Sequence, residues 1–243
     1  MAVLNEMTDI QKKHVSVREF TKEKVSEDVL REIALAARSA STSSFLQIVS
    51  VIRVTDGAVK AEIARLSGPQ PHVAAAPECW IFCADFHRDA LIVPEADLGW
   101  SEQTLIGVLD AGIMAQNAFA ALESFGLGGV YLGGIRNHIA EIDALLKLPQ
   151  NVFPVVGLIF GYPARKNRTK ERLPLEILFH ENAYHEPDNK LLADYDGKIR
   201  NYYRTRSANP KDTGWFDTVR SCLKKERRPF IRAFLQKKGF SLK

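Results

Sequence analysis

The longest pattern in the chain is Ser101–Phe125, where Leu105, Ile106, Leu109, Ile113, Met114, Phe119 and Leu122 leave almost no polar face. A helix of that kind is expected to be buried nearly all round. Its small residues, Gly107, Ala111, Gly112, Ala115 and Ala118, let another helix come close, so it forms either the core of the domain or the seam of an obligate dimer. Three nearly continuous apolar runs, Ile48–Val54, Cys79–Ala84 and Phe153–Phe160, predict buried strands. Amphipathic helices are expected after the Ser26 cap, where Leu30, Ile33, Ala34 and Ala37 share a face, and over Val59–Leu66. Asn137 reads as the cap of a helix carrying Ile139, Ile142, Leu145 and Leu146. Leu191–Arg204 and Trp215–Lys238 close the pattern as two further helices, and a short polar one opens it.

Directly after the long apolar helix comes Gly126–Gly134, GLGGVYLGG, with five of the 15 glycines. Glycine reaches φ > 0 and lets another molecule approach bare backbone. A dinucleotide fingerprint fails here, because a GxGxxG begun at Gly126 needs a glycine where Tyr131 stands, and the segment follows a helix instead of opening one. A helix C-cap explains Gly126 and Gly128 but leaves Gly133 and Gly134 without a reason. Those two are the positions where a flat ligand would lie against main chain, and where a side chain should do most harm.

Length and composition narrow the class. The 243 residues fit one large domain or two small ones, and 46% hydrophobic content supports a real core. The first residues, MAVLNEMTDIQKKH, hold no apolar stretch of signal-peptide length, and Asp110, Gln116 and Asn117 interrupt the long helix, so a cytoplasmic protein without a membrane partner is expected. Cys79, Cys83 and Cys222 show no zinc-type spacing and the six histidines form no HExxH, so no metal is expected. Cys79 and Cys83 read as core residues. From Arg200 onward there are 13 Lys/Arg against 3 Asp/Glu, and before it 20 against 26, so the tail is near +10 and the body near −6. That asymmetry points to an anionic partner or to a solvated helical face.

Several polar segments can carry chemistry. His14, Ser16 and Arg18 alternate in HVSVREF, and on an extended segment they point one way, either as an anion cradle or as an exposed edge. Ser41–Ser44 put four hydroxyls at a helix exit, free to meet solvent or the heteroatoms of a ligand. The stiff turn Gly68–Pro71 presents Gln70 outward. Arg165, Lys166, Arg168, Lys170 and Arg172 crowd one loop, either as solvated charge or as a phosphate grip.

HVSVREF, ASTSSFLQ, the Gln70 turn, GLGGVYLGGIRN, KERLP, HENAY, YYRTR and RRPF, taken in order and over nearly the whole chain, resemble the FMN-dependent nitroreductase superfamily. Within it they resemble the NADPH-preferring group of oxygen-insensitive nitroreductases of the A type and NADPH flavin reductases. The resemblance implies an α+β fold, a central mixed or antiparallel sheet flanked by helices in an intertwined homodimer, with two FMN molecules at the subunit interface. It implies a single domain over 1–243, with a basic helical extension from about residue 190 that contributes to NADPH binding. By the family pattern His14, Ser16 and Arg18, with Lys170 and Arg172, hold the FMN phosphate and ribityl chain. Ser43, Ser44 and Gln70 face the polar edge of the ring, and Tyr131, Leu132, Gly133 and Gly134 line its N5 side. Arg206 and Arg228, with Lys211 as a looser match, correspond to the residues that bind the 2′-phosphate of NADPH. Val15 departs from the pattern, which usually has Arg there, and removes one cation from the grip.

The implied activity is two-electron, ping-pong reduction of nitroaromatics and quinones by NADPH through FMN, the protein supplying position and electrostatics in place of an acid–base residue. A flavin reductase that releases reduced FMN shares every one of these residues. A nucleic-acid-binding module is the third reading and rests only on the charge asymmetry. Whether Glu102 or Asn137 touches substrate is left open by the sequence.

Overall fold

The structure, a computed structural model, describes residues 5–165, 167–206 and 209–243. It divides into two compact units, one of residues up to Asn167 together with Arg228–Lys243, the other Arg168–Arg227. The extension expected from about residue 190 therefore begins inside the second unit.

In the first unit the elements run α1 (Glu6–Lys12), α2 (Glu27–Arg38), β1 (Val49–Arg53), α3 (Gly57–Leu66), α4 (Pro71–Ala75), β2 (Glu78–Asp85), α5 (His87–Ile92), α6 (Ser101–Ser124), β3 (Gly128–Leu132), α7 (Ile139–Leu145) and β4 (Val152–Gly161). The four strands form one antiparallel sheet in the order β1-β2-β4-β3, and the fold is α+β. Strand β2 is buried along its whole length because both faces of the sheet are covered. Successive side chains on a strand point to opposite faces. Trp80, Phe82 and Ala84 thus join Leu30, Ile33 and Phe119 of α2 and α6, and Cys79, Ile81 and Cys83 join Ile63 of α3 and Ile142 of α7. Burial pushes the Cys79 and Cys83 thiols up to about 12, in keeping with a core role. Register slips between Phe82 and Cys83, where Pro154 of β4 has no N–H for the ladder and a bulge absorbs it.

Strand β1 departs from the expectation of a buried strand. It pairs with β2 alone, and Val51 on its outer side is exposed. Helix α6 departs as well: Gly107, Asp110, Ala111, Ala115, Ala118, Phe119 and Leu122 form a single inward stripe, while Leu105, Val108 and Leu109 face outward, Leu105 at 65% exposure. Its apolarity on every side therefore exceeds what this chain itself covers. The helix is long and apolar enough to cross a membrane by length and composition, yet its inward stripe packs on β2 and α2.

The expected helix Trp215–Lys238 is two helices. The second unit holds α8 (Leu175–Leu178), α9 (Asn189–Thr205) and α10 (Trp215–Leu223), and α11 (Ile231–Lys237) belongs to the first unit. Arg228 in the left-handed region at φ 59°, followed by Pro229, breaks the helix. Beyond α11, Lys238 Nζ is buried against Asp143 and donates to the carbonyls of Leu148 and Pro149. Within the second unit, Arg200 spans Asp212 and Asp217, and Tyr195 packs edge-on against Trp215.

Glycines test this packing. A Cβ on Gly129 would lie 2.7 Å from the Ile159 carbonyl, whereas one on Gly197, inside α9, meets nothing within 4 Å. Gly129→Ala is expected to lower stability by about 1–3 kcal/mol through overpacking. Gly197→Ala is expected to raise it by about 0.5–1 kcal/mol, both read from urea unfolding followed by circular dichroism.

Candidate functional site

The expected ligand floor is built where the end of β3 meets the turn before α4. Chain 133–136 leaves β3 as a 3₁₀ turn, and a Cβ on Gly134 would lie 2.6 Å from Gln70 Nε2 and closer still to the Ser67 carbonyl. That carbonyl accepts from Gln70 Nε2 at 2.7 Å and from Asn137 Nδ2 at 3.1 Å. Gly134 and Gln70 are thus brought together as expected. Gly133 is less constrained than expected, since its missing side chain would meet only the end of the Arg136 side chain, at 3.3 Å. The tighter positions are Gly128, against Val17, and Gly129. Leu132 is buried in the core, so only its backbone is available to a ligand.

Asn137 does not cap α7. The residue before that helix is His138, which makes no side-chain cap, and the Asn137 amide is drawn into tertiary bonds. Its Oδ1 accepts from Arg228 Nε at 2.9 Å and Nη2 at 2.7 Å. With Nδ2 on Ser67, Asn137 joins the expected coenzyme arginine of the first unit to the floor. The guanidinium of Arg136, donating to the Val155 carbonyl, is pushed below its ordinary pKa by burial and then by the charge of Arg228. Glu102 is exposed in the first turn of α6 and makes no hydrogen bond among the described residues.

The segment 14–18 meets β3 at Val17. Val17 turns inward, its N–H donating to the Gly129 carbonyl at 2.8 Å, while Ser16 and Arg18 are exposed, as their alternation predicts. His14 is engaged: Nδ1 lies 2.8 Å from Glu123 Oε1 and the ring meets Phe119 edge-on, leaving Nε2 for a ligand. Burial pushes the Glu123 carboxyl above its usual range, and the His14 contact offsets part of that. Phe119 also packs on Tyr131, whose hydroxyl donates to Gln116 Oε1 at 3.1 Å and is pushed above the usual phenol range by burial. The charge of Arg18 reaches His72 of α4, whose pKa is lowered first by burial and then by that arginine.

The hydroxyl cluster is strained into an arc. Ser44, Phe45 and Gln47 have φ of 48°, 59° and 57°, in the left-handed region that side chains rarely adopt, a cost met at functional sites. Phe45 stands 79% exposed. What pins the arc is Asp110, 2% exposed in the middle of α6, which accepts from Ser43 N–H at 3.0 and 3.1 Å and from Ser43 Oγ at 2.9 Å. Ser43 is therefore spent on Asp110, while the Ser44 side chain points to solvent.

The second unit gathers cations at one ring. Lys170 Nζ donates to Tyr203 Oη at 2.9 Å, and Arg206 and Lys211 lie over the same ring. Arg172 donates to the Lys170 carbonyl at 2.8 Å. Lys166, the remaining cation of that loop, lies outside the described residues. The charge of the tail is partly neutralised: Arg200 and Arg204 share Asp212, Arg220 faces Asp217, and Lys243 pairs with Asp97.

Sequence reasoning gave no site role of their own to Asp110, Glu123, Ser67 and Tyr203. Asp110 alone carried a signal, a carboxylate inside an apolar helix, which must find partners when buried. Among the described residues no cluster of His, Cys, Asp and Glu is arranged to hold a metal ion.

Comparison with known proteins covers both units. The Nitroreductase family model matches residues 12–162, and the model for the Nitroreductase family, C-terminal domain, matches residues 170–243. The chain is 50% identical over 228 residues to an oxygen-insensitive NADPH nitroreductase of Salmonella typhimurium, covering 94% of this chain and 95% of that one. It is 41% identical to an NADPH-flavin oxidoreductase of Vibrio harveyi over the same shares. Nitroreductase A from Vibrio parahaemolyticus superposes with a TM-score of 0.93 at 39% identity, over 99% of this chain and all of that one. Matched in sequence and in fold along nearly its whole length, the chain belongs to the nitroreductase family.

Proposed function

We propose that this chain carries electrons from NADPH to nitroaromatics and quinones in ping-pong order, as a homodimer that holds FMN in its first unit. As a nitroreductase family member it is an NADPH-dependent flavin oxidoreductase; the acceptor, the residue roles and the dimer are the proposal. The observation that carries it is the floor at Gly134. Backbone and amide groups of Ser67, Gln70 and Asn137 converge where no Cβ fits, and Ser67 Oγ is buried there without a partner among the described residues. This suits the flat heteroatom-edged ring of FMN, and the strained, hydroxyl-rich arc at Ser44 offers further polar groups to it.

FMN, when bound, supplies the hydride-accepting N5 and the two-electron chemistry. The chain's own residues bind and orient. Gln70 keeps its amide oxygen as an acceptor, the backbone of Leu132–Gly134 supplies N–H donors, and Tyr131, held by Gln116, walls the site. His14 Nε2, Ser16 and Arg18 meet the ribityl phosphate, with Lys170 and Arg172 as the phosphate cations contributed by the second unit's sequence. Val15 leaves this set one cation short of the family pattern. Arg206 and Lys211, with Arg228, take the 2′-phosphate of NADPH. The uncovered stripe of Leu105, Val108 and Leu109 on α6 suits a second copy. Cytoplasmic residence accompanies this reading, since NADPH is its reductant.

A second reading, release of reduced flavin, is favoured by the names of two relatives, the Vibrio harveyi NADPH-flavin oxidoreductase and an FMN reductase (NADPH) of Bacillus subtilis 33% identical to this chain. Nucleic-acid binding rests only on the charge of the basic tail, with no recognition module beside it.

The purified protein is expected to be yellow and to bleach on titration with NADPH and poorly with NADH; a colourless protein that takes up no added FMN would remove the reading. Arg206→Ala is expected to raise the apparent KM for NADPH about tenfold or more while barely moving that for NADH, the loss of a charge-assisted phosphate contact. Steady-state turnover of nitrofurazone against added free FMN separates the two readings. Faster nitrofurazone reduction is expected.

A further inference from the structure

Asn137 stands half-buried at the end of the 3₁₀ turn 133–136, its backbone N–H donating to the Gly134 carbonyl at 2.8 Å. Its side chain bridges two segments remote in sequence. Nδ2 donates to the Ser67 carbonyl across 70 residues, and Oδ1 accepts from both Nε and Nη2 of Arg228 across 91. The partners fix which way round the amide lies, because a guanidinium only donates and a carbonyl only accepts. Asparagine meets both needs with one short group.

The packing is shaped for this bridge. Gly68 lies at φ 87°, and a Cβ there would stand 3.0 Å from Asn137 Nδ2, so the amide reaches Ser67 beside a position where a side chain would crowd it. The Ser67 carbonyl also accepts from Gln70 Nε2 at 2.7 Å, so Asn137 and Gln70 share one acceptor. Together these bonds hold the Ser67–Gln70 turn against Gly134, where no Cβ fits. From the other side Arg228 orients the amide. Its backbone, left-handed at φ 59°, breaks the helix there, and its Nε and Nη2 close on a single oxygen, leaving Nη1 for the coenzyme. A neutral amide aims the guanidinium without cancelling its charge. That charge is felt at Arg136, whose pKa it lowers after burial does.

We infer that Asn137 is a positioning residue for the flavin floor and that Arg228 is its anchor, so that one edge of a single guanidinium shapes the flavin site while the other serves the coenzyme. The inference rests on the reading of the Gly134 floor as the FMN site. Both acceptor sites of Asn137 Oδ1 are taken up by Arg228, so Asn137 works through Ser67 and Gln70 and not on substrate. Arg228 gains a second role, exerted on the flavin site through hydrogen bonds and not through its charge.

FMN titration of the apoprotein, read by quenching of flavin fluorescence, reports the floor without turnover. Asn137→Ala and Arg228→Ala are each expected to weaken FMN about fivefold, the loss of a part-buried hydrogen-bonded link. The double variant is expected to lose no more than about twofold beyond either single one, because each residue acts through the other. Arg228→Lys keeps the charge but not the fork, and is expected to bind FMN as weakly as Arg228→Ala at both low and high salt. Attraction of the FMN phosphate would instead be restored by lysine and screened by salt. The Arg228 Nε–H resonance in ¹⁵N NMR, identified by its loss in Arg228→Lys, is expected to exchange slowly with water in the wild type and fast in Asn137→Ala. That signal reads the bridge even where a variant binds FMN too weakly to titrate. Wild-type FMN affinity in Asn137→Ala, additive losses in the double variant, or rescue by Arg228→Lys overturns the inference and leaves the flavin site standing. A wild-type apoprotein that takes up no FMN removes the flavin reading and the inference together.

Discussion

Close approach to bare backbone along β3 and the turn after it sets much of the first unit in place. Gly128 admits Val17, which brings His14, Ser16 and Arg18 alongside the strand; Gly129 admits the Ile159 carbonyl of β4; Gly134 admits Ser67 and Gln70. Each approach excludes a side chain for a different reason, a core valine, a ladder neighbour and the turn carrying Ser67 and Gln70. The segments these glycines admit are remote in sequence, so β3 and the turn after it are where a local pattern becomes a three-dimensional site. The cost is the entropy of fixing several glycines, and burial on both faces of the sheet offsets it.

The arc Ser43–Gln47 follows a different logic. Its left-handed residues are unfavourable on their own, and a carboxylate buried in α6 holds them through one serine. A buried charge without hydrogen bonds is costly, so Asp110 and Ser43 each supply what the other lacks. Strain, buried charge and exposed Phe45 together make a rigid rim out of a loop that composition alone presents as soluble linker.

Much of the fold was legible in the sequence, since the continuous apolar run of β2 and the capped, one-sided pattern of α2 are short-range properties. Errors arose where a residue's partner is distant. Asn137 has the chemistry of a cap, yet its amide prefers Ser67 and Arg228, and no local rule distinguishes the two. Helix α6 was expected to be buried all round, and the chain buries only one stripe, because the sequence records every surface a helix meets while one chain supplies only some. His14 was legible as a polar position, but its bond to Glu123 crosses 109 residues. Tyr203 was legible only as part of YYRTR, because the cations on its ring come from three segments.

The pair of thiols in β2 carries a consequence for oxidation of the protein itself. Burial pushes the Cys79 and Cys83 thiols up to about 12, so both stay protonated at neutral pH. Oxidants attack the thiolate. The sulfur of the central strand is thus held in its less reactive form. Exposed Cys222 is left as the place where oxidative wear, or a deliberately attached label, would register first.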